Sequence, residues 1–158
     1  MPRRYWLLKS EPSVFSIHDL SKAKDQTTCW EGVRNYQARN LLRDELQVGD
    51  GVLFHHSNAK PPHIAGTAVV VKAGYPDSYA WKKGHKYCDP KTDKTTPTWF
   101  MVDVRLQRIF DSPLPLDLLK TIPALANMML LQRGSRLSVQ PGTSREWRAV
   151  LKLADKTS

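Results

Sequence analysis

Apolar and polar positions follow two different periods along this chain, and the points where the period changes mark its elements. Arg4–Lys9 is a short aromatic and apolar run that predicts a buried strand, ended by Ser10-Glu11-Pro12 because a proline pushes the residue before it to extended geometry. Ser16 followed by Asp19 has the form of an N-cap with an acidic first turn, opening a short helix through about Ala23. A second helix is marked by Asn35 as cap and by Ala38, Leu41, Leu42 and Leu46, which recur at offsets of three, four and eight. It puts Arg39 and Arg43 one turn apart, off the apolar stripe, with Asn40 beside them. Gly49-Asp50-Gly51 reads as a turn, Val52–His56 as a strand, Ser57 to His63 as a polar loop and Ile64–Lys72 as a second strand. Two strands joined this way predict an antiparallel pair.

Residues 74–97 follow neither period. They hold Pro76, Pro90 and Pro97, the cluster Lys82-Lys83-Gly84-His85-Lys86, and the rings of Tyr79, Trp81 and Tyr87. A loop this long in a compact domain is often functional. Thr98–Phe110 carries the longest strand signal, with Phe100, Val102, Val104 and Leu106 on one face and Trp99, Asp103, Arg105 and Gln107 on the other. Pro113 and Pro115 are expected to break it, and an interrupted helical stretch follows over Leu116–Leu131. Arg133–Val139 returns to loop and strand, and Thr143 with Glu146 forms a capping box for a last helix through Lys152. Several antiparallel strands with short helices between them predict an α+β domain around a small, barrel-like sheet. With no internal repeat, low-complexity tract or linker, residues 1–158 read as a single domain.

Composition adds a charge. Lys+Arg number 24 against 15 Asp+Glu, a net +9 in 158 residues, which favours an acidic partner, nucleic acid first. The excess is spread: 8 basic and 6 acidic side chains over 1–48, 7 and 4 over 49–97, 9 and 5 over 98–158, so no third is a basic tail. Five Trp, five Tyr and four Phe argue against disorder. No apolar run approaches 18 residues, so no membrane span is expected. The opening apolar stretch is too short for a signal peptide. Two cysteines, Cys29 and Cys88, are too few for a disulfide scaffold and favour a reducing, cytoplasmic setting.

Most catalytic templates are absent. There is no phosphate-cradling Gly-x-x-x-x-Gly-Lys, no Gly-x-Gly-x-x-Gly after a strand and no Gly-x-Ser-x-Gly elbow. The carboxylate pairs Asp44-Glu45 and Asp89/Asp93 read as solvated faces. His85 and Cys88 have a chelate-like separation, but only one such pair exists, and the neighbours His55 and His56 point to opposite sheet faces, so neither metal nor cofactor is expected. The segment Thr27–Asn40 stands out instead. Trp30 precedes a helix N-terminus that attracts anions, close to Asn35, Tyr36, Gln37 and Arg39. An aromatic face with amides and Arg is the chemistry of base recognition, where stacking contributes roughly 1–3 kcal/mol per base. Core rings and helix caps would use the same residues.

Five segments carry a resemblance: Tyr5-Trp6-Leu7-Leu8-Lys9-Ser10-Glu11-Pro12, Trp30-Glu31-Gly32-Val33-Arg34-Asn35-Tyr36-Gln37-Ala38-Arg39-Asn40, Val48-Gly49-Asp50, His56-Ser57-Asn58 and Arg133-Gly134-Ser135-Arg136-Leu137-Ser138-Val139-Gln140-Pro141. In this order, over nearly the whole chain, they closely resemble the EVE domain family, small bacterial members included. Glu31 stands where the family more often has Asp, and His55 where Tyr is common. The resemblance implies a PUA-like fold similar to that of YTH domains, a curved antiparallel or mixed sheet closing toward a barrel with helices packed around it. It also implies a non-enzymatic reader that takes a modified base of DNA or RNA into an aromatic-walled pocket; a monomer is expected. Trp30 would stack, with Lys9, Ser10, Ser57 and Asn58 on the rim. Asn35, Tyr36, Gln37 and Arg39 would contact base edge or phosphate, and Arg136 and Ser138 would complete the pocket. Arg34, Arg43, Lys82, Lys83 and Lys86 are the expected backbone contacts, and Tyr79 and Trp81 the candidates for a second wall, while Trp99 and Trp147 read as packing. A sensor of free modified nucleotide is the alternative, and a nucleic-acid-processing enzyme a third class. On the reader hypothesis, truncating Trp30 is expected to abolish binding and spare the fold.

Overall fold

The computed structural model describes residues 2–92 and 94–158, so Asp93 lies outside the described residues. In chain order the elements are β1 (Tyr5–Ser10), α1 (Ile17–Lys22), β2 (Thr27–Cys29), α2 (Tyr36–Asp44), β3 (Gly51–His56), β4 (His63–Pro76), β5 (Phe100–Pro115), α3 (Leu116–Leu119), β6 (Val139–Gly142) and α4 (Ser144–Thr157). Short 3-10 turns occupy Lys24–Gln26, Ser78–Trp81, Pro123–Leu125 and Met129–Leu131. The strands form one sheet in the order β2-β5-β4-β3-β1-β6.

The expected β3–β4 hairpin is present, while β1 pairs with β3 in parallel, Trp6 opposite Val52, which makes the sheet mixed. A parallel neighbour needs a crossover, and residues 11–50 supply it, carrying α1, β2 and α2. The expected barrel is not closed: β2 and β6 remain as the two edges of an open sheet among the described residues. Curvature comes from the long β4–β5 ladder, whose register shifts four times. At one shift a Cβ on Gly66 would collide with the Arg108 carbonyl, so only glycine allows the strands to approach there. Pro113 and Pro115 do not break β5 but lie within its final residues, where His63 pairs with Pro115 and Ile64 with fully buried Leu114. At a strand end beyond a bulge the missing amide costs little ladder pairing.

Alternation along the central strands buries both sheet faces. Trp6, Leu8, Val52 and Phe54 face a core closed by Ile17 and Leu20 of α1 and by Ala38 and Leu42 of α2. Leu7 and Leu53 face the other core, closed by Leu119, Leu125 and the Trp147, Val150 and Leu153 stripe of α4. The expected Ser16 cap and Thr143 capping box both form, and Asp19 makes the first a capping box too. The Ser16 hydroxyl accepts from the Asp19 amide at 3.1 Å, and the Thr143 hydroxyl accepts from the Glu146 amide at 3.1 Å. Helix α4 runs five residues past the expected Lys152, because Leu153 and Ala154 are buried and β5 holds its last turn through Arg108–Asp155 at 2.8 Å and Ser112–Thr157 at 3.0 Å. The Gly-Asp-Gly turn is locked by Asp50, which accepts from Trp6 Nε1 at 2.9 Å and from the amides of Arg4 and Gln47 at 3.1 and 2.9 Å.

Candidate functional site

The site grows from the C-terminal ends of β1 and β2. Thr27–Cys29 pairs with β5, and the Trp30 amide carries the pairing one residue further by donating to the Val102 carbonyl at 2.7 Å. That bond turns the Trp30 ring into the α1/α2 core, where it meets Phe54 edge-on at 5.3 Å and is 7% exposed. Trp30 also borders a cavity of about 460 Å³, within the roughly 300–1,000 Å³ range of small-ligand sites.

A second wall comes from the long loop. Tyr87 lines the cavity and packs flat on Gly32, where an added Cβ would lie 2.5 Å from the ring. Gly32 also has φ +79, so glycine is required there for both backbone and space. Asp77, fully buried, holds this arrangement from below. Its Oδ2 accepts from the Gly32 amide at 2.9 Å and from Arg34 Nη1 at 3.0 Å, and its Oδ1 accepts from the Tyr79 amide at 3.0 Å. Arg34 then donates through Nη2 to the Tyr87 carbonyl at 2.6 Å and through Nη1 to the Val33 carbonyl at 3.1 Å. The loop is braced further by Asp89, which accepts from Trp99 Nε1 at 2.7 Å, a bond that holds its carboxyl below the usual carboxylate range.

The third side is the exit of β1. The Lys9 amide donates to the Ser138 carbonyl at 2.9 Å and Lys9 Nζ to the Ser135 carbonyl at 3.2 Å, and burial lowers the Lys9 pKa. Buried Gln140 braces the same turn by donating to Ser135 Oγ and the Leu137 carbonyl. The Ser10 hydroxyl donates to the Phe15 carbonyl at 2.6 Å, folding Val14 and Phe15 against the cavity. Beside Trp30, Cys29 Sγ donates to Glu31 Oε2 at 3.4 Å. Burial first, then the Glu31 charge, pushes that thiol up to about 11, so it stays protonated at neutral pH and is no nucleophile.

Of the residues expected at the pocket, the structure brings Lys9, Ser10, Trp30 and Ser138 together, with Arg34 and Lys86 on the same lining. The others lie elsewhere. Asn35 caps α2 by accepting from the Ala38 amide at 2.9 Å. Tyr36 is 62% exposed and stacks on Trp99 at 5.0 Å, and Arg39 donates to the Thr98 carbonyl at 2.7 Å. Gln37 and Arg136 are exposed outside the cavity lining. Ser57 meets the site's frame through its amide, which donates to the Ser10 carbonyl at 2.9 Å, and Asn58 follows with φ +50. Arg43 pairs with Asp44 at 2.7 Å on the surface of α2, while Lys82 sits 4.4 Å over the Tyr79 ring and Lys83 is exposed. Among the loop rings it is Tyr87 that lines the cavity, not Tyr79 or Trp81. Phe15 and Cys29 are on the lining without having been expected there; Gly32, inside the longest motif, was the sequence signal that something must pack closely above it. The structure also changes the expectation for Trp30 truncation: a core ring at 7% exposure cannot be cut to Ala without about 3–5 kcal/mol of stability.

The histidines point to opposite sheet faces, as the strand period requires. His56 Nε2 accepts from the Ile17 amide at 3.0 Å and its Nδ1 lies 3.0 Å from His63 Nε2. His55 is 3% exposed, and neither ring nitrogen has a hydrogen-bond partner among the described residues. Burial holds His55 down to about 3 and His56 to about 4, so both are neutral. No three His, Cys, Asp or Glu side chains come together as a metal-binding group among the described residues.

Comparison with known proteins places this geometry. The EVE domain profile matches residues 4–153. Human thymocyte nuclear protein 1 is 43% identical over 169 residues, covering 96% of this chain and 74% of that protein. A hypothetical protein from Leishmania major superposes with a TM-score of 0.92 at 46% identity, covering 99% of this chain and 97% of its own. The structure of the human THYN1 protein in complex with 5-methylcytosine-containing DNA superposes with a TM-score of 0.88 at 43% identity, covering 96% and 98%. The mixed six-stranded sheet with its few helices is the PUA-like fold of that protein. On sequence and structure alike, the chain belongs to the EVE domain family.

Proposed function

We propose that this protein is a non-enzymatic nucleic-acid reader that holds a modified cytosine between Trp30 and Tyr87. The observation that carries the reading is the cavity itself, with one aromatic wall fixed in the core, a second fixed by the Arg34–Asp77 pair, and Lys9 and Lys86 on its border. The human relative's complex with 5-methylcytosine-containing DNA supports the choice of base. A base must leave its stack to enter, which costs a few kcal/mol, least from a single strand. Stacking at roughly 1–3 kcal/mol per ring and hydrogen bonds to the base edge offset that cost. The Cys29 thiol on the lining, pushed up to about 11, stays protonated at neutral pH, which favours binding over thiol chemistry there.

The test is titration with single-stranded oligonucleotides carrying one 5-methylcytosine, with the wild-type protein and a Tyr87→Ala variant. Loss of at least about tenfold in affinity in Tyr87→Ala is expected from removing one stacked ring. Unchanged affinity would place the ligand elsewhere. A salt-independent affinity for the free nucleoside, equal to that for the oligonucleotide, would replace the reader by a small-molecule sensor.

A further inference from the structure

We infer that Glu31 is the specificity-determining residue of this pocket, accepting a hydrogen bond from the exocyclic amino group of the base and excluding the 4-oxo pyrimidines; this rests on the pocket reading above. Glu31 is half-buried on the cavity lining, next in sequence to Trp30. Its backbone is pinned on both sides, through the Trp30 amide on Val102 and the Gly32 amide on Asp77. The carboxylate is therefore carried on a fixed stretch of backbone between Trp30 and Gly32, all three of which line the cavity.

Glu31 is also left without a cation. No ion pair within 4.0 Å reaches it among the described residues. The basic groups on the same lining are engaged elsewhere: Arg34 on Asp77 and Tyr87, Lys9 on the Ser135 carbonyl, and Lys86 4.9 Å from the centre of the Tyr87 ring. Among the described residues Glu31 takes only the weak hydrogen bond of the Cys29 thiol, on Oε2. A half-buried carboxylate in this state is matched by a ligand that brings its own donor.

Cytosine and 5-methylcytosine bring one in the 4-amino group. Thymine has the same size and the same 5-methyl group but carries an oxygen at position 4, which turns lone pairs toward the carboxylate and leaves both acceptors unpaired. A site built to receive a hydrogen bond rejects the analogue that lacks the donor far more strongly than one that merely fits its shape. Lys9, on the same lining, keeps two ammonium protons beyond its bond to the Ser135 carbonyl, and these can donate to the ring carbonyl of the amino-bearing base.

The experiment compares single-stranded oligonucleotides that differ only in 5-methylcytosine or thymine at one position, binding to wild type, Glu31→Gln and Tyr87→Ala. Wild type is expected to prefer 5-methylcytosine by about tenfold or more, the cost of one unpaired buried charge-assisted hydrogen bond. Glu31→Gln keeps the shape, and its amide turns to accept or donate, so the ratio should fall to within about threefold. A wild-type ratio near one, or a Glu31→Gln ratio equal to that of wild type, overturns the assignment. If Tyr87→Ala weakens binding while Glu31→Gln keeps the wild-type ratio, the pocket stands and only Glu31 is misassigned. Tyr87→Ala binding the methylated strand as well as wild type does overturns the pocket, and the assignment with it.

Discussion

Arg34 and Asp77 meet at 3.0 Å beneath the aromatic wall, with the Asp77 side chain fully buried and the guanidinium still partly open. The pair joins the loop after β4 to the segment after β2, 43 residues apart in sequence. Removing the carboxylate strands the amides of Gly32 and Tyr79 as well as the guanidinium. Breaking one side of a buried pair typically costs about 3–5 kcal/mol. Asp77→Ala is expected to lose stability on that scale in urea denaturation and Asp77→Asn distinctly less, because the amide oxygen still accepts. Wild-type stability in Asp77→Ala would mean that the loop is not held through this carboxylate.

Gly32 couples backbone to pocket. Gly32→Ala meets a left-handed backbone, costing about 1–2 kcal/mol, and places a methyl 2.5 Å from the Tyr87 ring. The ring must move off the wall. Thermal denaturation should show a modest loss, and binding of a methylated strand should fall by more than that loss alone explains. Full affinity in a destabilised variant would separate Tyr87 from the ligand.

His55 and His56 set an acid limit. Their folded pKa values, about 3 and about 4, lie below the ordinary 6.5, so the unfolded chain binds protons first as pH falls. Their contribution is complete above pH 6.5 and is lost as pH drops from there toward 4 and then 3. The other groups nearest His56 are His63, His18 and Asp19, and Lys9 adds to the load on His55. The melting temperature should therefore fall through this window. His55→Leu, close in volume and freed of two unpaired nitrogens, should regain about 1–3 kcal/mol at pH 7 and flatten the acid slope. A His55→Leu variant less stable than wild type at pH 7 would show that the ring has a partner.

Much of the fold is legible in the sequence because local chemistry dictates it. The Ser16 cap, the Thr143 capping box, the Asn35 cap, the Ala38–Leu42 stripe and the β3–β4 hairpin all follow from residue type at short spacing. What escapes is set by partners far along the chain. Three-residue β2 is a strand only because β5 lies beside it, and Pro113 and Pro115 remain in β5 because β4 shifts register against it. The site divides the same way. Trp30, Lys9, Ser10 and Ser138 stand in motifs that border the cavity, but Asn35 and Arg39 are drawn into capping and loop anchoring, and Tyr87 reaches the wall only through Arg34 and Asp77. Residue type alone does not separate a ring that binds from a ring that packs.

Charge should govern approach rather than choice. Lys82 and Lys83 are exposed on the loop that carries Tyr87, outside the cavity lining. Replacing both by Gln is expected to lower the salt dependence of oligonucleotide binding by about 0.7 log units per lost contact on a single strand, with the preference between bases unchanged. A changed base preference would place these lysines at the base.

The most direct test of the central claim is the affinity of the wild-type protein for one single-stranded oligonucleotide with 5-methylcytosine against the same strand with cytosine, at fixed salt. Burying one methyl group between Trp30 and Tyr87 contributes about 0.8 kcal/mol, so the methylated strand should bind about fourfold more tightly. Equal affinity for the two strands would contradict the claim that this pocket reads a modified cytosine.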